Sequence, residues 1–133
     1  PYVGVNGIAY LSRSIRGWEQ KMGKRRASLN LAQLVRMLEE IGTGGAGFRF
    51  VYGAFLQEAA ARTGVAELND FSKRITAIGD LWREFAFKAS RIYKRREGES
   101  YTYDDLGDLL LTISEQERAF FQDLDRTVKE YMK

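Results

Sequence analysis

Three short stretches carry the residue types most able to do chemistry. The first is Gly42-Thr43-Gly44-Gly45-Ala46-Gly47-Phe48-Arg49, with four glycines in six residues. Glycine reaches backbone angles with φ > 0 that other residues reach only with strain, so such a cluster marks a sharp turn, a close backbone approach or an anion cradle. Gly42, Gly44 and Gly47 match the spacing G-x-G-x-x-G. A dinucleotide site needs that fingerprint directly after a strand. Here it follows Leu31, Leu34, Val35, Leu38 and Ile41, which recur at helical intervals, and a dinucleotide site is set aside. No Lys-Ser/Thr pair follows, which sets aside a P-loop. What stays open is an anion held by the amides of Gly45 to Gly47 at a helix N-terminus, assisted by Arg49; the plain alternative is a tight helix–helix turn. The binding candidates here are Gly44, Gly45, Gly47 and Arg49.

The second stretch is Lys24-Arg25-Arg26, with Lys21 just before it. It can meet phosphate or an acidic partner, or be a solvated loop between helices. No aromatic side chain lies within it to stack on bases, which counts against single-strand binding. The third, Lys94-Arg95-Arg96, sits near a predicted helix C-terminus, where cations suit the helix dipole without any ligand.

Equally informative is what the chain lacks. It has no cysteine and no histidine. That excludes a thiol nucleophile, a disulfide framework and a Cys/His zinc site within these residues. It also removes the usual general base near neutral pH. A self-contained Ser-His-Asp or Cys-His enzyme is impossible in this segment; carboxylate chemistry stays open but has no positive signal. No catalytic residue, metal or cofactor is expected.

The net charge of +3 hides an asymmetry. Residues 1–49 hold eight Lys/Arg against three acids, whereas residues 99–133 hold nine acids against four bases. The ends can attract each other or neighbouring domains. A nucleic-acid binder more often shows one basic face without an acidic counterpart, so nucleic acid is not the expected partner. No run approaches the roughly 18–20 apolar residues of a membrane span. No signal-peptide pattern opens the chain, and the expected compartment is the cytoplasm. There is no initiator methionine, so a fragment or processed product is expected.

The elements that must position these groups read as helices. The only proline is Pro1, which permits long uninterrupted helices. Residues 1–7 read as an incoming linker or stray strand. Asn6 is a candidate cap for a helix from Ile8, with Leu11, Ile15, Trp18 and Met22 on one face and Gly23 as its stop. Ser28 or Asn30 caps the next helix, and Arg36 and Glu40 make a surface pair on it. After the glycine turn, Phe48, Val51, Tyr52, Phe55, Leu56 and Ala59 line a face up to Gly64. The strongest periodicity is Phe71, Ile75, Ile78, Trp82, Phe85, Ala89 and Ile92, over about six turns, and that helix, 71–97, is expected at the centre. Thr102 caps the last helix, with Asp104 and Asp105 in its first turn. Its stripe is Leu106, Leu109, Leu110, Ile113, Phe120, Phe121, Leu124 and Val128. Glu117 interrupts that stripe, as a partly buried acid paired with an arginine or as a break where the helix leaves the core. The fold expected is all-α: a single domain over 1–133, an irregular bundle of about five helices.

The run Gly42 to Tyr52, then Phe55-Leu56-Gln57-Glu58-Ala59 and Trp82-Arg83-Glu84-Phe85-Ala86, with Trp18 and the Lys21-to-Arg26 run, resembles one family. It is similar to the helical C-terminal domain of proteins related to butirosin biosynthesis protein H. The resemblance spans most of the chain, and the glycine-aromatic block is its most specific part. It implies a two-domain parent whose N-terminal half is similar to papain-like cysteine peptidases and carries a cysteine nucleophile. In the butirosin pathway such a protein moves an aminoacyl group from a carrier-protein thioester onto an aminoglycoside amine; other members are labelled peptidases. With neither Cys nor His, this segment fits the non-catalytic half. The partners implied are the N-terminal catalytic domain of the same chain and an acyl carrier protein. The contrasting expectation is a plain interaction or dimerisation module, a homo-oligomer without substrate contact.

Overall fold

The computed structural model of the chain describes residues 3–40, 46–94 and 101–131. Over these residues it is all-α, with five helices and no strand. They are α1 (Val3–Ile15), α2 (Trp18–Glu40), α3 (Ala46–Thr63), α4 (Glu67–Tyr93) and α5 (Tyr103–Tyr131). α4 is the hub: it packs against α2, α3 and α5, while α1 lies along α5.

The α4 and α5 stripes build most of the core. Phe71, Ile75, Ile78, Trp82, Phe85 and Ala89 of α4 are buried in one cluster with Leu106, Leu109, Leu110, Ile113, Phe120 and Leu124 of α5. Each large side chain fully withdrawn from water contributes roughly 1.5–3 kcal/mol, so these two stripes supply most of the burial seen among the described residues. The Phe71 and Phe120 rings meet edge-on, with centroids 5.8 Å apart. Val128, expected on the same stripe, is exposed, so the stripe leaves the core before the helix ends. Glu117 is only 2% exposed, and its Oε2 accepts a 2.8 Å hydrogen bond from Trp82 Nε1. α5 runs on without a break there. Of the two expectations, burial of the acid holds and the break does not; the donor identified is the Trp82 indole, and an acid so enclosed requires such donors.

The start of α5 is capped as its sequence indicates. Asp105 N–H donates to Thr102 Oγ1 at 3.1 Å, and Thr102 N–H donates to Asp105 Oδ2 at 2.9 Å. This reciprocal capping box satisfies two amides that the helix itself leaves unpaired.

The amino-terminal half departs from expectation in three ways. Helix α1 begins at Val3, so most of the expected linker is helical. Gly4 and Gly7 lower local helix propensity, but packing along α5 overrides them. Asn6 does not cap a helix at Ile8: its Oδ1 accepts a 2.6 Å hydrogen bond from Arg118 Nη2 of α5.

Next, the helix expected to run from Ile8 to Met22 is broken by a turn at Arg16-Gly17, where Gly17 N–H donates to Ser14 O at 3.2 Å. Trp18 and Met22 still pack against the core. Side-chain periodicity alone does not separate a continuous helix from a bent one. Gly23, the expected stop, does leave the helical path (φ 84°, ψ 161°), but helix resumes at once. Lys24, Arg25 and Arg26 are therefore helical rather than looped. Ser28 and Asn30 are not caps: Ser28 Oγ donates to Tyr93 O at 3.2 Å, and Asn30 Nδ2 to Met22 Sδ at 3.1 Å.

Finally, α3 departs from expectation at Phe55, whereas Leu56, on the same expected face, is buried and Ala59 is half-buried. Phe55 is 64% exposed, while Leu56 and Ala60 are buried with Gly53. Ser72 Oγ donates to Gly53 O at 2.7 Å, so the backbones of α3 and α4 approach closely at this glycine. That approach fixes the rotation of a helix with apolar residues on every side. The expected C-terminal stop of α3 is borne out: Gly64 has φ 76°. The side chains of Phe48, Val51, Tyr52, Leu38, Glu40 and Ile41 lie outside the described residues, as does the stop expected at Gly98.

Candidate functional site

Of the residues singled out above, Gly44 and Gly45 lie outside the described residues, as does the side chain of Arg49. Gly47 and Arg49 fall in the first turn of α3, which begins at Ala46. In the second basic cluster, Lys94 closes α4 and is exposed, its N–H donating to Ser90 O at 3.0 Å; Arg95 and Arg96 lie outside the described residues.

The basic run is fully in view. Lys24, Arg25 and Arg26 are exposed and follow the Gly23 break directly, forming the first turn of the second limb of α2. None of the three has an ion pair or a side-chain hydrogen bond with a described residue. This first turn, Lys24-Arg25-Arg26-Ala27, contains no acid. A helix N-terminus carries partial positive charge, so cations there cost stability rather than add to it. The arrangement suits an external anionic partner better than it suits the isolated fold. The Ser28 hydroxyl bond to Tyr93 O seats this turn on the last turn of α4.

Beside the run is an open cleft of about 330 Å³, where the α1–α2 turn, the first limb of α2, the end of α4 and the start of α5 converge. Arg16, Glu19, Gln20 and Lys24 line it together with Ile92, Tyr101 and the first residues of α5. Arg16 is committed to α5: its Nη1 lies 2.8 Å from Asp108 Oδ1 and donates to Asp104 O at 3.2 Å. Its side chain lies across Gly107, where an added Cβ would come within 2.7 Å of it. The Tyr101 ring is held edge-on to Phe87 at 6.4 Å, with Lys88 Nζ 5.4 Å from its centroid. The walls of the cleft are thus fixed by contacts between helices.

The sequence of residues 1–124 matches the profile of a family described as a domain of unknown function, DUF4872. The chain belongs to the DUF4872 family. No curated protein and no solved structure matches it.

Within this DUF4872 domain the structure brings Lys24, among the predicted site residues, to the cleft, with Arg25 and Arg26 following it on the same turn. Sequence reasoning missed Arg16, Glu19, Gln20, Ile92 and Tyr101. Only Tyr101-Thr102-Tyr103 gave a signal, a pair of aromatics flanking a cap; the others become neighbours only through packing across more than seventy positions of chain. No group of three or more Asp or Glu among the described residues could hold a metal ion. No helix among them is long and apolar enough to cross a membrane.

Proposed function

We propose that this domain is a non-catalytic docking module: it receives an acidic protein partner, of the acyl-carrier type, and shapes the substrate cleft of a catalytic domain that supplies the nucleophile. The reading joins the resemblance to butirosin-H-like acyltransferases and peptidase-like proteins with the chain's own chemistry. The observation that carries it is the first turn after Gly23, where Lys24, Arg25 and Arg26 stand exposed and without described ion-pair partners on a helix N-terminus. Exposed charges of one sign steer an oppositely charged partner and set its orientation more than they add raw affinity. Glu19 and Asp104 lie beside the same cleft. They interrupt the continuous basic face that a nucleic-acid backbone needs, whereas a protein can set a local acidic patch against Lys24, Arg25 and Arg26 alone.

The competing reading, a self-associating module, has weaker support. Among the side chains described, the large apolar ones that reach solvent are distributed over all five helices: Tyr10, Leu29, Phe55, Phe87, Leu111 and Val128. Scattered exposure of this kind is ordinary on a monomer, whereas an interface needs a contiguous patch.

The test is a titration of an acyl carrier protein against this domain and against a variant with Lys24→Ala, Arg25→Ala and Arg26→Ala. Loss of the three charges should raise the dissociation constant by about threefold to hundredfold at low salt, since exposed pairs contribute roughly 0.2–1 kcal/mol each. Equal affinity for both proteins would sink the docking reading.

A further inference from the structure

The cleft beside the basic run has a chemistry of its own. Glu19 and Lys24 both border it, and neither side chain has an ion pair or hydrogen bond with a described residue. They do not pair with each other, and Arg16 is engaged by Asp104 and Asp108. In an unbroken helix Gln20 and Lys24, four residues apart, would stack on one face. The left-handed backbone of Gly23 takes Lys24 off that path, and the two residues border the cleft from either side of the break. One acidic and one basic residue therefore border the same space, neither with a counter-charge among the described residues.

The cleft also has apolar lining. Ile92 is half-buried there, and the Tyr101 ring is held in place by Phe87 and Lys88. A purely anionic ligand would meet Glu19 and Asp104, and a purely cationic one would meet Arg16 and Lys24. With Arg16 and Asp104 already paired, a ligand bearing one charge of each sign on an apolar spine satisfies both Glu19 and Lys24. The volume, about 330 Å³, lies at the small end of the range for small-molecule pockets.

We propose that this cleft binds a zwitterionic small molecule, with its cationic group at Glu19, its anionic group at Lys24 and its apolar spine along Ile92 and Tyr101. The inference shares Lys24 with the docking reading but uses neither Arg25 nor Arg26, and Glu19→Gln, which leaves the basic turn intact, tests the cleft without touching the docking face.

The test is a titration of the 133-residue chain with 6-aminohexanoate, followed by amide chemical shifts in two-dimensional NMR spectra, with hexylamine and hexanoate run in parallel. The expected result is saturable shifts at Gln20, Lys24 and Tyr101, with a dissociation constant on the order of 10 mM for so small a ligand. Each single-charge analogue should bind about fivefold more weakly. The exposed positions allow two variants that leave the fold intact. Glu19→Gln should weaken 6-aminohexanoate and hexylamine about fivefold and leave hexanoate alone; Lys24→Gln should weaken 6-aminohexanoate and hexanoate and leave hexylamine alone. Equal binding of all three compounds, shifts away from the cleft, no saturation, or no response to either variant would each overturn the proposal.

Discussion

Gly53→Ala is the substitution whose outcome the structure determines most sharply. In an ordinary exposed helix it would stabilise by about 1 kcal/mol, because glycine is the poorer helix former. At Gly53 the new Cβ would lie 2.7 Å from Thr76 Oγ1, 3.3 Å from Ile75 Cγ2 and 3.4 Å from Ser72 O. Two of those neighbours are buried, and Ser72 is also the donor to Gly53 O. α3 must back away from α4, which lengthens that hydrogen bond and loosens the packing of Leu56 and Ala60. Overpacking of this kind costs typically 1–3 kcal/mol, so the net change should be a destabilisation of up to about 2 kcal/mol. Thr76→Ala removes the atom of closest approach. In that background Gly53→Ala should lose most of its cost, a coupling of about 1–2 kcal/mol between the two positions. Urea denaturation of the four proteins reads this directly as shifts in midpoint at constant slope. If Gly53→Ala stabilises the parent by the full helix-propensity gain, α3 and α4 do not approach as described.

Two further changes test the ends and the centre of the α4–α5 seam. Thr102→Ala removes the hydroxyl that accepts from Asp105 N–H and should cost about 1 kcal/mol, whereas Thr102→Ser should be close to neutral; the denaturation midpoint distinguishes them. Trp82→Phe removes the indole donor to Glu117 Oε2 while keeping an aromatic ring, and should cost about 1–3 kcal/mol for a buried acceptor that loses this donor. The same measurement on Glu117→Gln, which keeps a carbonyl acceptor, should show a smaller loss; equal losses would mean that the indole contact contributes little.

How much of this was legible depended on the pattern each helix carries. α4 and α5 are apolar on one face and charged on the other, so spacing alone placed their cores, and Thr102 announced its cap by residue type. α3 is apolar on every side, so periodicity could not say which face turns inward, and Phe55 was assigned to the wrong one; the decision belongs to Gly53, through a contact with a different helix. In the amino-terminal part the apolar residues keep a helical interval through Trp18 and Met22 although the chain bends twice. Glycines at 17 and 23 mark where it bends, but not whether helix resumes. The basic run was visible as composition; its place on a helix N-terminus was not. The cleft was the least legible feature, because Arg16, Glu19 and Lys24 meet Ile92 and Tyr101 only once α2, α4 and α5 are packed.

The central claim is that this domain contributes a docking face, the turn of Lys24, Arg25 and Arg26, while the reacting groups come from elsewhere. The most direct measurement is a map of amide shifts in the isotope-labelled domain on addition of an unlabelled acyl carrier protein. The account predicts perturbations concentrated on residues 24–28 and the adjoining end of α4, fading as salt is raised toward a Debye length of about 3 Å. Perturbations confined to α3 or to the far end of α5, or none at all at low salt, would contradict it.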